Sequence, residues 1–307
     1  MKIIVAMTGG TISQKEVNGK MEISLSSQEL LKNIQTDAQL EYIDISRSSG
    51  SSLKLEHLFA VRDLVRSRED ADGFLLITGT DSMEEFAFGL DLLIKPGRPF
   101  VITGAAKPSD VLGCDGLANL KDALRVIESP EAKDLGVLVV LNDNVHPARY
   151  VRKHDSTLIG MFQSHPGPIA QMRRGKPLYY YSGLPHIDRH LDAKLPTQTP
   201  KVLIWTMAVD PFLPEAALIE LDGLVLAGQG TGSLAPWIVE QLSPQWTERI
   251  PVVLTSRTAV GLNFDDHYYR GSLEKYESKG FRLLGYEQLN PLQARMKLIL
   301  EISSKIE

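Results

Sequence analysis

Two short turns near the start of the chain place hydroxyl groups beside glycines. Apolar residues 3–7 precede one turn and apolar residues 74–77 precede the other. The turns read Thr8-Gly9-Gly10-Thr11 and Thr78-Gly79-Thr80-Asp81. Glycine lets the backbone approach a ligand closely, and the hydroxyl groups can form hydrogen bonds to that ligand. The turns therefore indicate a ligand site at this edge of the sheet, and the alternative is that they are ordinary strand-to-helix turns with good caps.

Further polar residues follow the next two apolar runs. Gly104-Ala105-Ala106 follows residues 100–103, and Lys153 stands in a polar stretch after residues 137–141. A lysine with polar neighbours is usually a solvated surface charge. From these residues alone, Lys153 is therefore expected to be a solvated surface charge.

Buried strands must position these turns. Unbroken, β-branched apolar runs recur at residues 3–7, 74–78, 100–103, 137–141, 202–205, 224–227 and 252–255. Such runs are typical of parallel strands that are buried on both faces. Capping boxes are predicted at Ser26-x-x-Glu29 and Ser82-x-x-Glu85, and Asn290-Pro291 predicts the start of a last helix. The alternation predicts an α/β fold with an open, mostly parallel sheet and flanking helices.

A stretch rich in proline and charge separates two βα series. It predicts a linker at 185–200 between a larger N-terminal domain, 1–184, and a smaller C-terminal α/β domain, 201–307.

Composition excludes several classes of protein. The 307 residues carry 33 Lys+Arg against 38 Asp+Glu, which argues against nucleic acid or an anionic membrane as a partner. The single cysteine, Cys114, cannot form an internal disulfide. Residues 3–7 are too short for the apolar region of a signal peptide. We therefore expect a cytoplasmic, soluble protein.

Taken together, these residues resemble the bacterial-type L-asparaginase/glutaminase family. The three active-site motifs of that family are matched by Thr8-Gly9-Gly10-Thr11-Ile12, Gly79-Thr80-Asp81-Ser82-Met83-Glu84-Glu85 and Val151-x-Lys153. The likeness continues through Gly104-Ala105, Asp115-Gly116-x-x-Asn119-Leu120, Gly228-x-Gly230-x-Gly232, Ser256-Arg257 and Leu289-Asn290-Pro291-x-x-Ala294-Arg295. It covers nearly the whole chain.

The resemblance implies an amidohydrolase that releases ammonia from the side-chain amide of L-asparagine, without a metal or cofactor. Thr11 is expected to be the nucleophile of an acyl-enzyme mechanism, and Thr80, Asp81 and Lys153 are expected to form a second catalytic cluster. The substrate-binding residues are expected to be Gly10, Ser51, Ser52, Gly79 and Ala105. The partner is then a small amino-acid amide, and the assembly a homodimer or homotetramer.

The sequence departs from the family pattern at several positions. Thr78 stands where the family usually has histidine, and Thr231 and Ser233 stand where asparagines are common. The polar lid segment, 14–21, is expected to be a mobile loop, but residues 13–41 contain no tyrosine, which that lid normally carries. Two alternatives therefore stay open, namely hydrolysis of glutamine or another specialised amide, and a non-catalytic amino-acid-binding protein.

Three other patterns are weaker. Ser51-x-x-Lys54 resembles the pair in penicillin-recognising enzymes, but no later Lys-Thr-Gly follows. His186-x-x-x-His190 has metal-binding spacing but lies in the predicted linker, where a solvated loop is expected. Gly228-x-Gly230-x-Gly232 lacks the spacing of a dinucleotide site.

Overall fold

The computed structural model describes residues 1–95, 97–181, 190–213, 218–264 and 267–305. The chain divides into two compact units, Met1–His190 and Leu191–Glu307. Residues 185–189 of the predicted linker lie outside the described residues.

The first unit is built on a mostly parallel sheet. Its strands are β1 (Lys2–Gly9), β2 (Gln14–Val17), β3 (Lys20–Ile23), β4 (Gln39–Ser48), β5 (Gly73–Ile77), β6 (Phe100–Thr103), β7 (Val137–Leu141), β8 (Asn144–Pro147), β9 (Val151–Lys153), β10 (Phe162–Ser164), β11 (Ala170–Arg173) and β12 (Lys176–Tyr179). In the described part of the unit, eight of them form one sheet in the order β12-β11-β8-β7-β6-β5-β1-β4. Strands β4, β1, β5, β6 and β7 run parallel, so their carboxyl ends share one edge.

Flanking helices complete the first unit. They are α1 (Ser27–Leu31), α2 (Leu55–Ser67), α3 (Met83–Leu93) and α4 (Gly116–Ile127). The core of the unit is formed by apolar side chains of the central strands and of α4. The predicted open sheet with flanking helices is confirmed.

The predicted capping boxes have different outcomes. Ser26 accepts the Glu29 backbone N–H and the Glu29 carboxylate accepts the Ser26 N–H, so the first box is confirmed. The second is wrong, although α3 does begin just after Ser82. The Ser82 hydroxyl donates instead to the Gly50 carbonyl at 2.7 Å, which ties the helix to a neighbouring loop.

The predicted lid contains regular structure. Residues 14–21 contribute to the antiparallel hairpin of β2 and β3 rather than to a structureless loop. Asn18 and Gly19, between the strands, have φ angles of 52° and 77°. Positive φ at both central residues is the geometry that an Asn-Gly pair favours in a two-residue hairpin.

The second unit is a smaller α/β unit. It contains β13 (Val202–Thr206), β14 (Gly223–Gly228), β15 (Val252–Ser256), α5 (Pro236–Leu242), α6 (Ser272–Glu277) and α7 (Pro291–Ser303). The three described strands are parallel, with β14 in the centre. Asn290 caps α7 by accepting the Gln293 backbone N–H, as predicted. No helix in the described ranges is both long and apolar enough to cross a membrane.

His146 on β8 is a buried histidine that couples stability to pH. Its side chain is 2% exposed, its Nδ1 lies 2.6 Å from the Ser164 hydroxyl, and its Nε2 has no partner among the described residues. Burial lowers the pKa of His146 to about 4 from the ordinary value of 6.5. The folded state therefore binds a proton less readily than the unfolded state, and stability falls as the pH falls from 6.5 towards 4.

His146→Gln is expected to flatten this pH dependence. Glutamine can keep a bond to Ser164 but does not titrate. Between pH 7 and pH 5 the wild-type protein should lose about 2 kcal/mol of unfolding free energy through this group, and the variant should lose that much less. Urea unfolding at the two pH values measures the difference. An equal loss in both proteins would contradict the assignment.

Candidate active site

Three glycines bring the ends of β1, β4 and β5 into backbone contact. A Cβ added to Gly10 would lie 2.4 Å from the Gly79 Cα, and one added to Gly79 would lie 2.7 Å from the Gly50 Cα. Atoms cannot approach so closely, so side chains are excluded at both positions. The residues that follow these glycines, Thr11, Thr80 and Ser51, are consequently gathered at one edge of the sheet.

Thr11 begins a single 3-10 turn, Thr11–Ser13, that directly follows β1. The Ser13 hydroxyl and backbone N–H both donate to the Gly10 carbonyl, at 2.8 and 3.0 Å, and fix the turn. Ile12 is 1% exposed and packs beside Gly116 at the start of α4. Thr11 itself is half-buried.

Lys153, Thr80 and Asp81 form a hydrogen-bonded cluster. The Lys153 Nζ lies 3.1 Å from the Thr80 Oγ1 and 3.0 Å from the Asp81 Oδ1. The Thr80 residue is 7% exposed, while the Asp81 side chain is 59% exposed. Asp81 thus orients the ammonium group from the solvent side. Of the two threonines, Thr80 is the one that Lys153 contacts within the described structure.

Glu84 positions Lys153, a role that sequence reasoning missed. Its carboxylate on α3 accepts the Lys153 backbone N–H at 2.5 Å and lies near Arg152. Burial raises the pKa of Glu84, while the bond from Lys153 and the charge of Arg152 oppose that rise. The sequence signals for Glu84 were its place in the motif of residues 79–85 and its position in the first turn of the helix that follows the Thr80 turn.

The loop that contains Ala105 is held by α4. The Asp115 carboxylate accepts the Ala106 N–H at 2.9 Å and the Lys107 N–H at 3.0 Å, while the Asn119 amide donates to the Gly104 carbonyl at 3.0 Å. Ala105 itself is 1% exposed. The loop therefore has a fixed backbone near the sheet edge.

The serine loop after β4 is anchored at Gly50 and exposed beyond it. The Ser49 hydroxyl lies 3.1 Å from that of Ser51 and 2.8 Å from that of Ser52. The Lys54 ammonium group is exposed and lies 3.8 Å from the Glu56 carboxylate. The geometry gives no support to the serine–lysine pattern.

Thr78 is not part of the accessible site. It is fully buried, and its hydroxyl accepts a hydrogen bond from the Thr8 hydroxyl at 2.7 Å. The pair links the ends of β1 and β5. Threonine at this position is therefore explained by packing in the sheet.

No cluster of three or more His, Cys, Asp and Glu side chains that could hold a metal ion is found in the described ranges. His186, of the metal-like pattern, lies outside those ranges.

Gly10→Ala is expected to lower the amidohydrolase activity that the resemblance implies by about 100-fold. The added methyl group must push the Thr11 and Thr80 turns apart, and small displacements of reacting groups are costly. Gly10 also has a φ of 98°. Gly175→Ala is the matched control, since Gly175 has a φ of 73° and an added Cβ would meet nothing within 4 Å. The measurement is ammonia release by both variants. Equal activities would contradict the importance of the glycine contact.

Comparison with known proteins matches both units to family models. The model described as asparaginase, N-terminal, matches residues 2–184, and that described as glutaminase/asparaginase C-terminal domain matches residues 202–306.

Individual relatives match along nearly their whole length. An L-asparaginase of Bacillus licheniformis is 29% identical, over 99% of this chain and 96% of that protein. A glutaminase-asparaginase of Acinetobacter glutaminasificans is 26% identical, over 98% of this chain and 95% of that protein. The crystal structure of a probable cytoplasmic L-asparaginase from Campylobacter jejuni is 28% identical and covers 99% of this chain and 95% of its own, with a TM-score of 0.85.

Proposed function

The chain belongs to the asparaginase family of amidohydrolases, and from that premise we propose that it hydrolyses the side-chain amide of L-asparagine through a threonine acyl-enzyme. The observation that carries the proposal is the contact of the Lys153 ammonium group with Thr80 and Asp81. A protein that only binds an amino acid has no need of a lysine held on a threonine hydroxyl. The backbone contact of Gly10 with Gly79 brings Thr11 to the same edge.

In the proposed reaction, the Thr11 hydroxyl oxygen attacks the amide carbon of the substrate. Lys153 takes part in this step as the neutral amine: the proton passes through Thr80 to the Lys153 Nζ and then to the leaving nitrogen, which departs as ammonia when the C–N bond breaks. Water attacks the resulting aspartyl ester by the same proton path and releases aspartate. Backbone N–H groups of the turns at Gly10 and Gly79 are suited to stabilise the oxyanion that forms at each step.

We assign recognition of the α-amino and α-carboxylate groups to the serine loop and Asp81. Ser51 and Ser52 supply exposed hydroxyl donors for the carboxylate, and the Asp81 carboxylate pairs with the ammonium group. The closeness of the loop to Asp81 supports this division, since a Cβ on Gly50 would lie 3.0 Å from the Asp81 backbone nitrogen. Ala105 is assigned to the amide nitrogen through its carbonyl.

Asparagine is proposed over glutamine as the preferred substrate. Among the relatives are proteins named L-asparaginase and proteins named glutaminase-asparaginase, so glutamine is the second candidate. We also propose a homodimer or homotetramer and a cytoplasmic location, the latter because the similar Campylobacter jejuni protein is named a probable cytoplasmic L-asparaginase.

Ammonia release from purified protein tests the proposed function. The panel is L-asparagine, D-asparagine, L-glutamine and N-substituted asparagines, and L-asparagine is expected to be turned over fastest. Faster turnover of glutamine would contradict the substrate. If no amide releases ammonia but L-asparagine raises the melting temperature, the non-catalytic alternative is correct.

A further inference from the structure

A cavity in the first unit lies behind the Thr11 turn. Its volume is about 240 Å³. The residues that line it come from the Thr11–Ser13 turn, the β2–β3 hairpin, α1 and the residues that flank it, the segment before α4 and the first turns of α4. None of the residues assigned to the reaction is among them.

The cavity combines an apolar floor with a positively charged wall. Ile12, Leu30 and Leu120 are each at most 5% exposed and form the floor. The wall carries three lysines but a single carboxylate, that of Glu29. That carboxylate already accepts the backbone N–H and hydroxyl of Ser26, both at 2.8 Å, in the capping box.

The wall lysines lack a close ion-pair partner among the described residues, although the charges of Lys15 and Lys32 act on the Glu29 carboxylate. No ion pair within the described structure involves Lys15, Lys32 or Lys107, although surface lysines elsewhere, such as Lys201, do form them. Asn33 adds a neutral hydrogen-bonding group. The excess of positive charge favours an anion, and the floor favours an apolar body attached to it.

We propose that this cavity binds a small organic carboxylate whose charge pairs with Lys32 and Lys107 and whose apolar body rests on Ile12 and Leu120. At a share of about 30 Å³ for each water-sized group, the cavity has room for roughly eight non-hydrogen atoms. A short fatty-acid anion such as hexanoate matches that size.

A ligand in the cavity would contact residues that adjoin the Thr11 turn. Ile12 directly follows Thr11. Ser109 donates its hydroxyl and its backbone N–H to the Gln14 carbonyl, at 3.0 and 3.3 Å, and Asp110 accepts the Glu16 N–H at 2.7 Å. The hairpin and the cavity wall are thus one connected structure, and a ligand between them acts on both.

Cys114 gives a direct readout of occupancy, because it is the sole cysteine of the chain, lines the cavity and is partly exposed. The experiment follows the rate of Cys114 alkylation by iodoacetamide, a neutral reagent. Hexanoate at about ten times its dissociation constant is expected to slow alkylation roughly tenfold. 1-Hexanol and hexylamine at the same concentration should leave the rate unchanged. Protection by hexanol equal to that by hexanoate would overturn the role of charge, and no protection by hexanoate would overturn the site.

A second experiment replaces the charged lysines of the cavity by glutamine. The double variant Lys32→Gln, Lys107→Gln should lose protection by hexanoate, while Lys176→Gln, at an exposed lysine of β12 outside the cavity, should retain it. Retained protection in the double variant would overturn the proposal. Calorimetric titration of the wild type with hexanoate gives the dissociation constant. Neither readout depends on amide hydrolysis, so this proposal and the proposed function fail separately.

Discussion

Replacing Thr11 by valine is expected to lower kcat for ammonia release from L-asparagine by about 10,000-fold. Valine has nearly the shape of threonine but no nucleophilic oxygen, so the acyl-enzyme cannot form. The turn is held by backbone and Ser13 bonds to Gly10 that do not involve the Thr11 side chain, so the fold and substrate binding should persist. The measurements are kcat from steady-state ammonia release and the dissociation constant of L-asparagine.

Thr36→Val is the matched control for this substitution. The Thr36 hydroxyl donates to the Glu128 carboxylate at 2.6 Å, away from the site, so its loss removes a real hydrogen bond. This control should keep nearly wild-type kcat. A Thr11→Val protein with kcat within tenfold of wild type would contradict the assignment of Thr11.

Replacing Lys153 by methionine is expected to lower kcat by about 1,000-fold, within the range that a positioned acid or base contributes. Methionine fills similar space but cannot bond to Thr80 or Asp81. The Glu84 carboxylate accepts a hydrogen bond from the backbone N–H of residue 153, so the substitution leaves that bond in place. L-Asparagine should therefore still bind, and the kcat loss should exceed any change in dissociation constant.

Lys201→Met controls for loss of a charged side chain. The Lys201 ammonium group forms an exposed ion pair with Glu220 at 3.0 Å, and removing such a pair costs little. Its kcat should match wild type. If Lys153→Met also retained wild-type kcat, Lys153 would have no part in proton transfer and the proposed mechanism would be wrong.

In the first unit, the sequence predicted four buried central strands and missed the half-buried edge strand and the β2–β3 hairpin. Strands β1, β5, β6 and β7 are almost entirely buried, so each appears as an unbroken apolar run. Strand β4 is at the sheet edge and only half-buried. Its polar and apolar residues are mixed, so it has no unbroken apolar run. The β2–β3 hairpin is mostly polar, and the Asn18-Gly19 pair at its turn is the feature that could have predicted it.

The contact among Thr80, Asp81 and Lys153 could be expected from their motifs, but the residues that support it could not. The structure places the Lys153 Nζ within hydrogen-bond distance of the other two side chains. The backbone contacts of Gly10 with Gly79 and of Gly79 with Gly50 join positions that lie far apart in the chain. A local sequence pattern cannot predict such contacts. The bonds of Ser82 to Gly50 and Glu84 to Lys153 are likewise contacts between distant segments.

The most direct test of the central claim is the location of the acyl group. The wild-type protein is mixed with saturating isotope-labelled L-asparagine and quenched in acid during turnover, and its peptides are analysed by mass spectrometry. We predict an aspartyl ester on Thr11 in the wild type and none in Thr11→Val. An ester on Thr80, or ammonia release without an ester on any threonine, would contradict Thr11 as the nucleophile.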